Sequence, residues 1–338
     1  MLKTVAAAVL MGLALIAIPA AAQSYPEMRL KYAVHVPASN VVAEADKYFA
    51  DEVKRRSGGR IVIDIYWNRA LAKQSEVLPL VAAGAIDFST LEAAQYGETP
   101  LTGFANALPM TFFDAGQLMD VSRSLYRDSS GIRTELEKLG LIALWVRPLP
   151  NYQLLCRKPY RTVADLEGAR LRSYGAYVPL MWQAIGANAV NVVASELYDG
   201  LAKGTFDCAY LPPPFLADYK LQEAAKYLLD IPFGMIEFAP VIVGEEAWDS
   251  WPAEVRQLFT EVAADTEAFA VRRIEADAGL AVERMVKDGV EIVRFEETAQ
   301  LRGKIPNMLD VWLEMQRDAG RGPDAEEIVS IARAKLGE

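Results

Sequence analysis

Residues 166–214 read LEGARLRSYGAYVPLMWQAIGANAVNVVASELYDGLAKGTFDCAYLPPP. Three short apolar runs, 169–173, 189–193 and 206–211, alternate with two segments of helical character. Tyr177, Leu180, Met181 and Ala184 recur at helical spacing, and Gly186 closes that helix. Ser195 is placed to cap a second helix over 196–203, which Gly204 ends. The pattern predicts a βαβαβ unit, and hence a parallel sheet covered by helices. Its strand ends carry Arg172 and Ser173, Val193 and Ala194, and Tyr210 and Leu211. In open α/β sheets, ligands sit beyond the carboxyl ends of the strands. Arg172 is therefore a cation where a ligand would lie.

The same grammar recurs earlier in the chain. Residues 29–36 alternate Leu30, Tyr32, Val34 and Val36 on one face of a strand. Ser39 or Asn40 then caps a helix through Arg56, with Val42, Ala45, Phe49 and Val53 as its buried stripe. A strand over 60–67, a helix over 74–83 ended by Gly84, and a strand over 86–91 complete a second βαβαβ unit. Its strand ends bear His35, Asn68 and Glu92. Two such units predict a ligand held between two sets of strand ends. Residues 141–156 join them as an apolar crossing strand broken by Pro148 and Pro150, and 232–243 return in the opposite direction. Residues 252–288 read as one long helix of roughly 55 Å or as two abutting ones, with Gly279 the place for a break. A short strand over 290–295 and helices over 297–319 and 324–336 finish the chain.

Composition narrows the function. Lys3, the apolar run over 5–18 and Ala20-Ala21-Ala22 form a secretory signal peptide, expected to be cut after Ala22. The run is about 14 residues, short of the roughly 20 that span a bilayer. Asp and Glu number 45 against 35 Lys and Arg, a net charge of −10 that argues against nucleic acid and anionic membrane as partners. His35 is the only histidine, and there is no G-x-S-x-G elbow, no C-x-x-C and no P-loop. Serine or cysteine triads, zinc and nucleotide cofactors thus find no support. The chain closes at Glu338 without a span, which favours a free transport protein over a membrane-tethered sensor.

Three ordered segments carry a resemblance. These are DLEGARLRSYG (165–175), SELYDGLAKGTFD (195–207), and SGGRIVIDIY followed by EVLPLVAAGAIDF. They are similar to segments of the substrate-binding proteins of TRAP (tripartite ATP-independent periplasmic) transporters, over nearly all of residues 28–320. The resemblance implies an α/β, two-lobed periplasmic-binding-protein-like fold (type II): two βαβ domains joined by crossing strands and a long helix, closing like a hinged clamp. It implies a lobe I of 24–149 plus 238–277 and a lobe II of 150–237 plus 278–338. It also implies a periplasmic receptor for a small organic acid, served by a two-subunit membrane permease driven by an ion gradient, with no catalytic residue and no cofactor. The family's carboxylate-binding arginine falls on Arg172, whose planar guanidinium matches a carboxylate with two parallel hydrogen bonds. The alternative for Arg172 is a structural salt bridge to a neighbouring acid.

Departures from the family pattern matter equally. A second arginine of sialic-acid-type members falls at Tyr152, and an asparagine at Leu211. Members that bridge a metal carry Glu-Trp where this chain has Tyr210-Leu211, so no metal is expected, with Glu237 as a small opening for one. Tyr152, Tyr174, Tyr210, Leu211 and Phe238 favour a monocarboxylate with an apolar or aromatic body. Gln74, Glu92, Asn68 and His35 complete the candidate ligand set from the first lobe, Glu92 pointing to a second polar group on the ligand. An exported hydrolase and a ligand sensor remain the rival readings. Cys156 closes the crossing strand and Cys208 lies early in the strand over 206–211. If the crossing strand runs antiparallel beside that strand, the two sulfurs come within reach of a disulfide; otherwise they are two packed core thiols.

Overall fold

The computed structural model describes residues 25–93, 96–193 and 196–338, apart from the side chain of Gln74. The expected signal peptide, Ala194 and the expected cap Ser195 lie outside the described residues. The fold is the two-lobed α/β arrangement anticipated from the two βαβαβ units.

The first sheet begins with β1 (Met28–Ala33), α1 (Ala43–Arg56), β2 (Ile61–Tyr66), α2 (Gln74–Ala82) and β3 (Phe88–Thr90). Both β2 and β3 pair with β1 in parallel. The stripe on α1 is buried as its spacing demands, with Phe49 packed against Phe88, Trp145 and Phe259. Asn40 caps nothing in α1 itself; its Oδ1 accepts from the Val42 amide in the turn before the helix. Then come α3 (Phe104–Ala107), α4 (Ala115–Asp128) and α5 (Ser130–Lys138).

The crossing region differs from the expected long strand. It divides into β4 (Leu141–Pro148) and β5 (Gln153–Cys156), which belong to different sheets. Pro148 and Pro150 lack the amide a continuous ladder needs, so pairing stops between them. The connection is held to the return segment by Leu149 N donating to Ile236 O at 2.8 Å and Tyr152 N to Gly234 O at 2.9 Å.

The second sheet contains α6 (Val163–Leu166), β6 (Arg170–Ser173), α7 (Val178–Ala184), β7 (Asn188–Asn191), α8 (Leu197–Lys203), β8 (Cys208–Leu211), α9 (Pro213–Asp218) and β9 (Tyr227–Leu229). The chain returns to the first sheet as β10 (Glu237–Gly244), followed by α10 (Glu245–Ser250), α11 (Ala253–Lys287) and β11 (Glu291–Val293). Strand order is β2-β1-β3-β10-β4 in the first sheet and β11-β9-β5-β8-β6-β7 in the second. Antiparallel pairing of β5 with β8 sets Cys156 opposite Cys208, and the two are joined as a disulfide with Cα atoms 4.0 Å apart.

Of the two alternatives, one long helix holds: the 35-residue α11 is unbroken, with no break at Gly279. A glycine inside a helix costs only about 1 kcal/mol, and nothing contests the helix at that point. The first part of α11 packs on α1 and β4: Tyr48 stacks on Phe269 at 4.4 Å, and the Val146 amide donates to Glu267 Oε1 at 3.0 Å. Its last turns meet the second lobe, where Gln222 Nε2 donates to Asp288 Oδ2 at 3.0 Å.

The C-terminal helices are α12 (Thr298–Lys304), α13 (Met308–Asp318) and α14 (Gly322–Leu336). The expectation put 278–338 entirely in lobe II. Residues 308–336 instead pack on the first lobe: α14 lies against α4 and α5, Trp312 meets Phe104 edge-on at 4.8 Å, and Glu327 accepts from the Ser130 amide at 2.9 Å. Pro306 separates them from α12 and lets the chain cross back.

Candidate functional site

Between the two sets of strand ends lies a cavity of about 1100 Å³. Arg172, near the end of β6, forms part of its wall and is only 7% exposed. Its Nη1 donates to the Tyr210 carbonyl at 3.0 Å and its Nε to the Val192 carbonyl at 3.4 Å. The guanidinium lies over the Tyr174 ring, 4.5 Å from the centroid. Both acceptors are neutral. Among the described residues no carboxylate comes within 4.0 Å, so the structural salt bridge has no partner there. This cation, nearly out of water, is held flat by two carbonyls and a ring, with no ion-pair partner among the described residues.

The remaining candidates fall into three groups. Tyr152, Tyr174, Leu211, Phe238 and Glu92 line the cavity with Arg172. Tyr210 does not: it is 1% exposed, with its ring packed against Tyr152, Trp182 and Phe233. Alternation along β8 turns its side chain into the core, and its contribution to the cavity is the carbonyl that holds Arg172. His35 also sits one layer back, its ring 5.0 Å from Phe238 and Nδ1 2.7 Å from Thr90 Oγ1. Burial, with Arg147 and Arg69 nearby, lowers its pKa to about 3. The 3.7 Å approach of His35 to Glu92 is thus a contact of a neutral ring with a carboxylate, not an ion pair. Asn68 is exposed in a left-handed turn outside the cavity, where its amide donates to Val36 O. Gln74 begins α2, and its side chain lies outside the described set.

Sequence reasoning missed several lining groups. Arg69 pairs with Glu92 at 2.7 Å, which gives that carboxylate a cation inside the cleft. It directly follows Asn68 at the end of β2, so the strand-end rule pointed one residue short. Phe215 and Asn106 also line the cavity, as do Trp312, Gln316 and Arg321 from the C-terminal helices. No local signal in 308–321 announces the last three, because their position depends on how α13 and α14 dock.

Glu237 is not a cavity residue. Its carboxyl is fully buried beneath α4 and accepts from Tyr126 Oη at 2.8 Å. No cation pairs with it among the described residues, and desolvation raises its pKa to about 7. The unfolded chain ionises Glu237 near the ordinary 4.5, so between there and about pH 7 the unfolded state binds fewer protons. Folding stability is therefore lost as pH rises through this window, by about 3 kcal/mol. We predict that Glu237→Gln removes this loss. Urea unfolding at pH 5 and pH 8 should show a drop about 3 kcal/mol smaller in the variant; equal drops in the two proteins would refute the assignment.

The comparisons agree with this geometry. Residues 32–316 match the family model described as bacterial extracellular solute-binding protein, family 7. A solute-binding protein of Chromohalobacter salexigens is 23% identical over 302 residues, covering 87% of this chain and 85% of that one. A Bordetella pertussis extracytoplasmic solute receptor binding pyroglutamic acid superposes with a TM-score of 0.76 at 22% identity, covering 90% of this chain and 99% of that one. A TRAP solute-binding protein of Rhodoferax ferrireducens, solved with copurified benzoate, gives 0.79 at 19% identity, covering 91% and 97%. At such identities the likeness carries the fold, while the family match covers most of the chain. With two α/β lobes, crossing strands and a cleft between strand ends, the chain belongs to family 7 of the bacterial extracellular solute-binding proteins, the solute-binding family of TRAP transporters, and is a binding protein rather than an enzyme.

Proposed function

We propose that the protein is a periplasmic receptor that captures an organic acid through its carboxylate on Arg172 and delivers it to a TRAP-type membrane permease. The observation that carries this reading is the buried Arg172 guanidinium in the cleft wall, with only neutral acceptors around it. Closing the lobes on an empty site would strip that cation of water without compensation, so the ligand favours closure. Tyr152, Leu211, Ile236, Phe215 and Phe238 form an apolar wall that suits an aliphatic or aromatic body. Benzoate in the Rhodoferax relative and pyroglutamate in the Bordetella one are acids of modest size with few hydroxyls. The Arg69–Glu92 pair offers both a donor and an acceptor to a second polar group. Export with cleavage after Ala22 belongs to the same proposal.

A thermal-shift screen of organic acids tests it, since a ligand that binds only the folded state raises the melting temperature. At least one acid should shift the melt. No shift by any acid, together with turnover of a hydrolase substrate, would replace this reading with an exported enzyme. Sialic acid itself should bind weakly, because Tyr152 and Leu211 stand where a cation and an amide would be needed. Micromolar or tighter binding of sialic acid would contradict that expectation.

A further inference from the structure

Phe238 forms part of the cleft wall, and its ring is placed by a residue that does not reach the cleft. It stands opposite Arg147 in the β10–β4 register, one residue from the end of that ladder. The register then shifts between Phe238 and Val241, where Ala239 takes a φ of 23° ahead of Pro240. A bulge of this kind beside a site re-aims a side chain and holds it at some cost in backbone strain. The Arg147 guanidinium carbon lies 5.1 Å from the Phe238 ring centroid, and the His35 ring meets the same ring at 5.0 Å. From the second lobe, Phe215 of α9 approaches it at 6.3 Å.

Arg147 is itself anchored on the side away from the ligand. Its Nη1 donates to Asp46 Oδ1 of α1 at 2.8 Å, and the Tyr32 hydroxyl of β1 donates to the same oxygen. Side-chain exposure is 1% for Arg147 and 0% for Asp46. Arg147 faces a small cavity of about 20 Å³ between α1, β4 and α11, so it can act on a ligand only through another side chain. The pair is a poor source of stability. Asp46 Oδ2 and Arg147 Nε and Nη2 have no hydrogen-bond partner among the described residues, so the desolvation of two charges is only partly offset. Apolar residues of similar volume would serve the core as well or better. What they cannot supply is a guanidinium lying over a ring, and one of the two rings it covers, Phe238, is the cleft wall.

We propose that Arg147 is a positioning residue for the ligand site: fixed by Asp46 and Tyr32, it holds the Phe238 ring in one orientation and so makes the cleft selective for the shape of the ligand body. This rests on the cleft being the ligand site. Arg172 takes the charge of the acid, while Arg147, without touching the ligand, sets which bodies fit beside it. A flat body can lie along a fixed ring, whereas a puckered one of equal size needs the ring to turn.

Removing Arg147 alone would strand the Asp46 charge, which is destabilising by itself. The test therefore uses Tyr32→Phe/Asp46→Leu/Arg147→Met, which removes the whole network and strands no partner. Calorimetry on the full mature chain compares benzoate with cyclohexanecarboxylate, a flat and a puckered acid of equal carbon count. The parent should bind benzoate about tenfold more tightly, the scale on which a shaped apolar pocket discriminates. In the triple variant the ratio should fall below about threefold, with a Tm within about 3 °C of the parent or above it. Phe238→Leu, with the network intact, should narrow the ratio equally, and adding the triple substitution to it should change the ratio no further. The proposal is overturned if the triple variant keeps the parent's ratio, or if its effect adds to that of Phe238→Leu. It is overturned as well if the triple variant melts far below the parent, because the network would then be structural. A parent that binds both acids equally, or neither, overturns it too; the Arg172 anchor is judged separately, by the wider acid screen and Arg172→Ala.

Discussion

Replacing Arg172 by alanine is expected to weaken binding of the acid ligand by about 3–5 kcal/mol, the scale for removing one partner of a desolvated charge pair. The cleft around Arg172 explains why the loss should be large. Its guanidinium is nearly buried, and the two carbonyls that orient it, Tyr210 O and Val192 O, repel a carboxylate once the cation is gone. Arg172→Lys should also lose most of the affinity. An ammonium cannot donate to both carbonyls, lie flat on Tyr174 and still present two parallel donors to a carboxylate. The unliganded variants should fold, since Arg172 pairs with no carboxylate that its loss would strand. Calorimetry with an acid identified by thermal shift reads the effect directly. Unchanged affinity in the alanine variant would place the anchor elsewhere in the cleft.

Much of the fold was written in local pattern. The stripe Val42, Ala45, Phe49 and Val53 needs only helical period to be read, and all four are buried. Gly84, Gly186 and Gly204 end helices with positive φ, a conformation that penalises other residues. The sequence left open whether Cys156 and Cys208 are bridged or are two packed thiols, because that depends on a register between distant strands; Cys156 does face Cys208 across the β5–β8 edge. What escaped depends on docking. Whether Gly279 breaks a helix is decided by what presses on it, and nothing does. The side of the molecule on which 308–336 settle is decided by Trp312 meeting Phe104 and by Glu327 meeting the start of α5, contacts more than a hundred residues apart. The same docking brings Gln316 and Arg321 to the cleft, so these two polar groups had no sequence signal. Tyr210 was misplaced for a different reason. A strand end supplies two faces, and the periodicity of a strand buried on both does not tell which one meets the ligand.

Loss of the Cys156–Cys208 bridge is expected to destabilise the folded protein by about 4 kcal/mol, without a matching loss of ligand affinity. The bridge closes a loop of 52 residues, and the chain-entropy cost of that closure, removed from folding by the cross-link, is about 4 kcal/mol at 25 °C. The loop contains β6, α7, β7 and α8, so the constraint acts on most of the parallel unit that carries Arg172. Both cysteines are fully buried, at the end of β5 and the start of β8, away from the cleft. The cleft end of the same two strands bears Tyr152, Leu211 and the Tyr210 carbonyl, and their antiparallel ladder persists without sulfur. The stabilisation therefore resides chiefly in the unfolded state, where the cross-link limits the chain, and the folded site keeps its geometry. Peptide mapping after alkylation without reductant should find the pair linked in protein exported to the periplasm. The Cys156→Ala/Cys208→Ala variant should unfold at lower denaturant, with Tm lower by roughly 8–16 °C if each kcal/mol is worth 2–4 °C in a unit of this size. Its affinity for the acid ligand should stay within about threefold of the parent, because the denatured-state constraint does not enter a binding equilibrium between folded states. A variant as stable as the parent would show that the bridge adds nothing to what the β5–β8 ladder already secures. A variant that folds but loses the ligand would show instead that the sulfurs hold the two strands, and through the Tyr210 carbonyl the Arg172 side chain, in the geometry that binding requires.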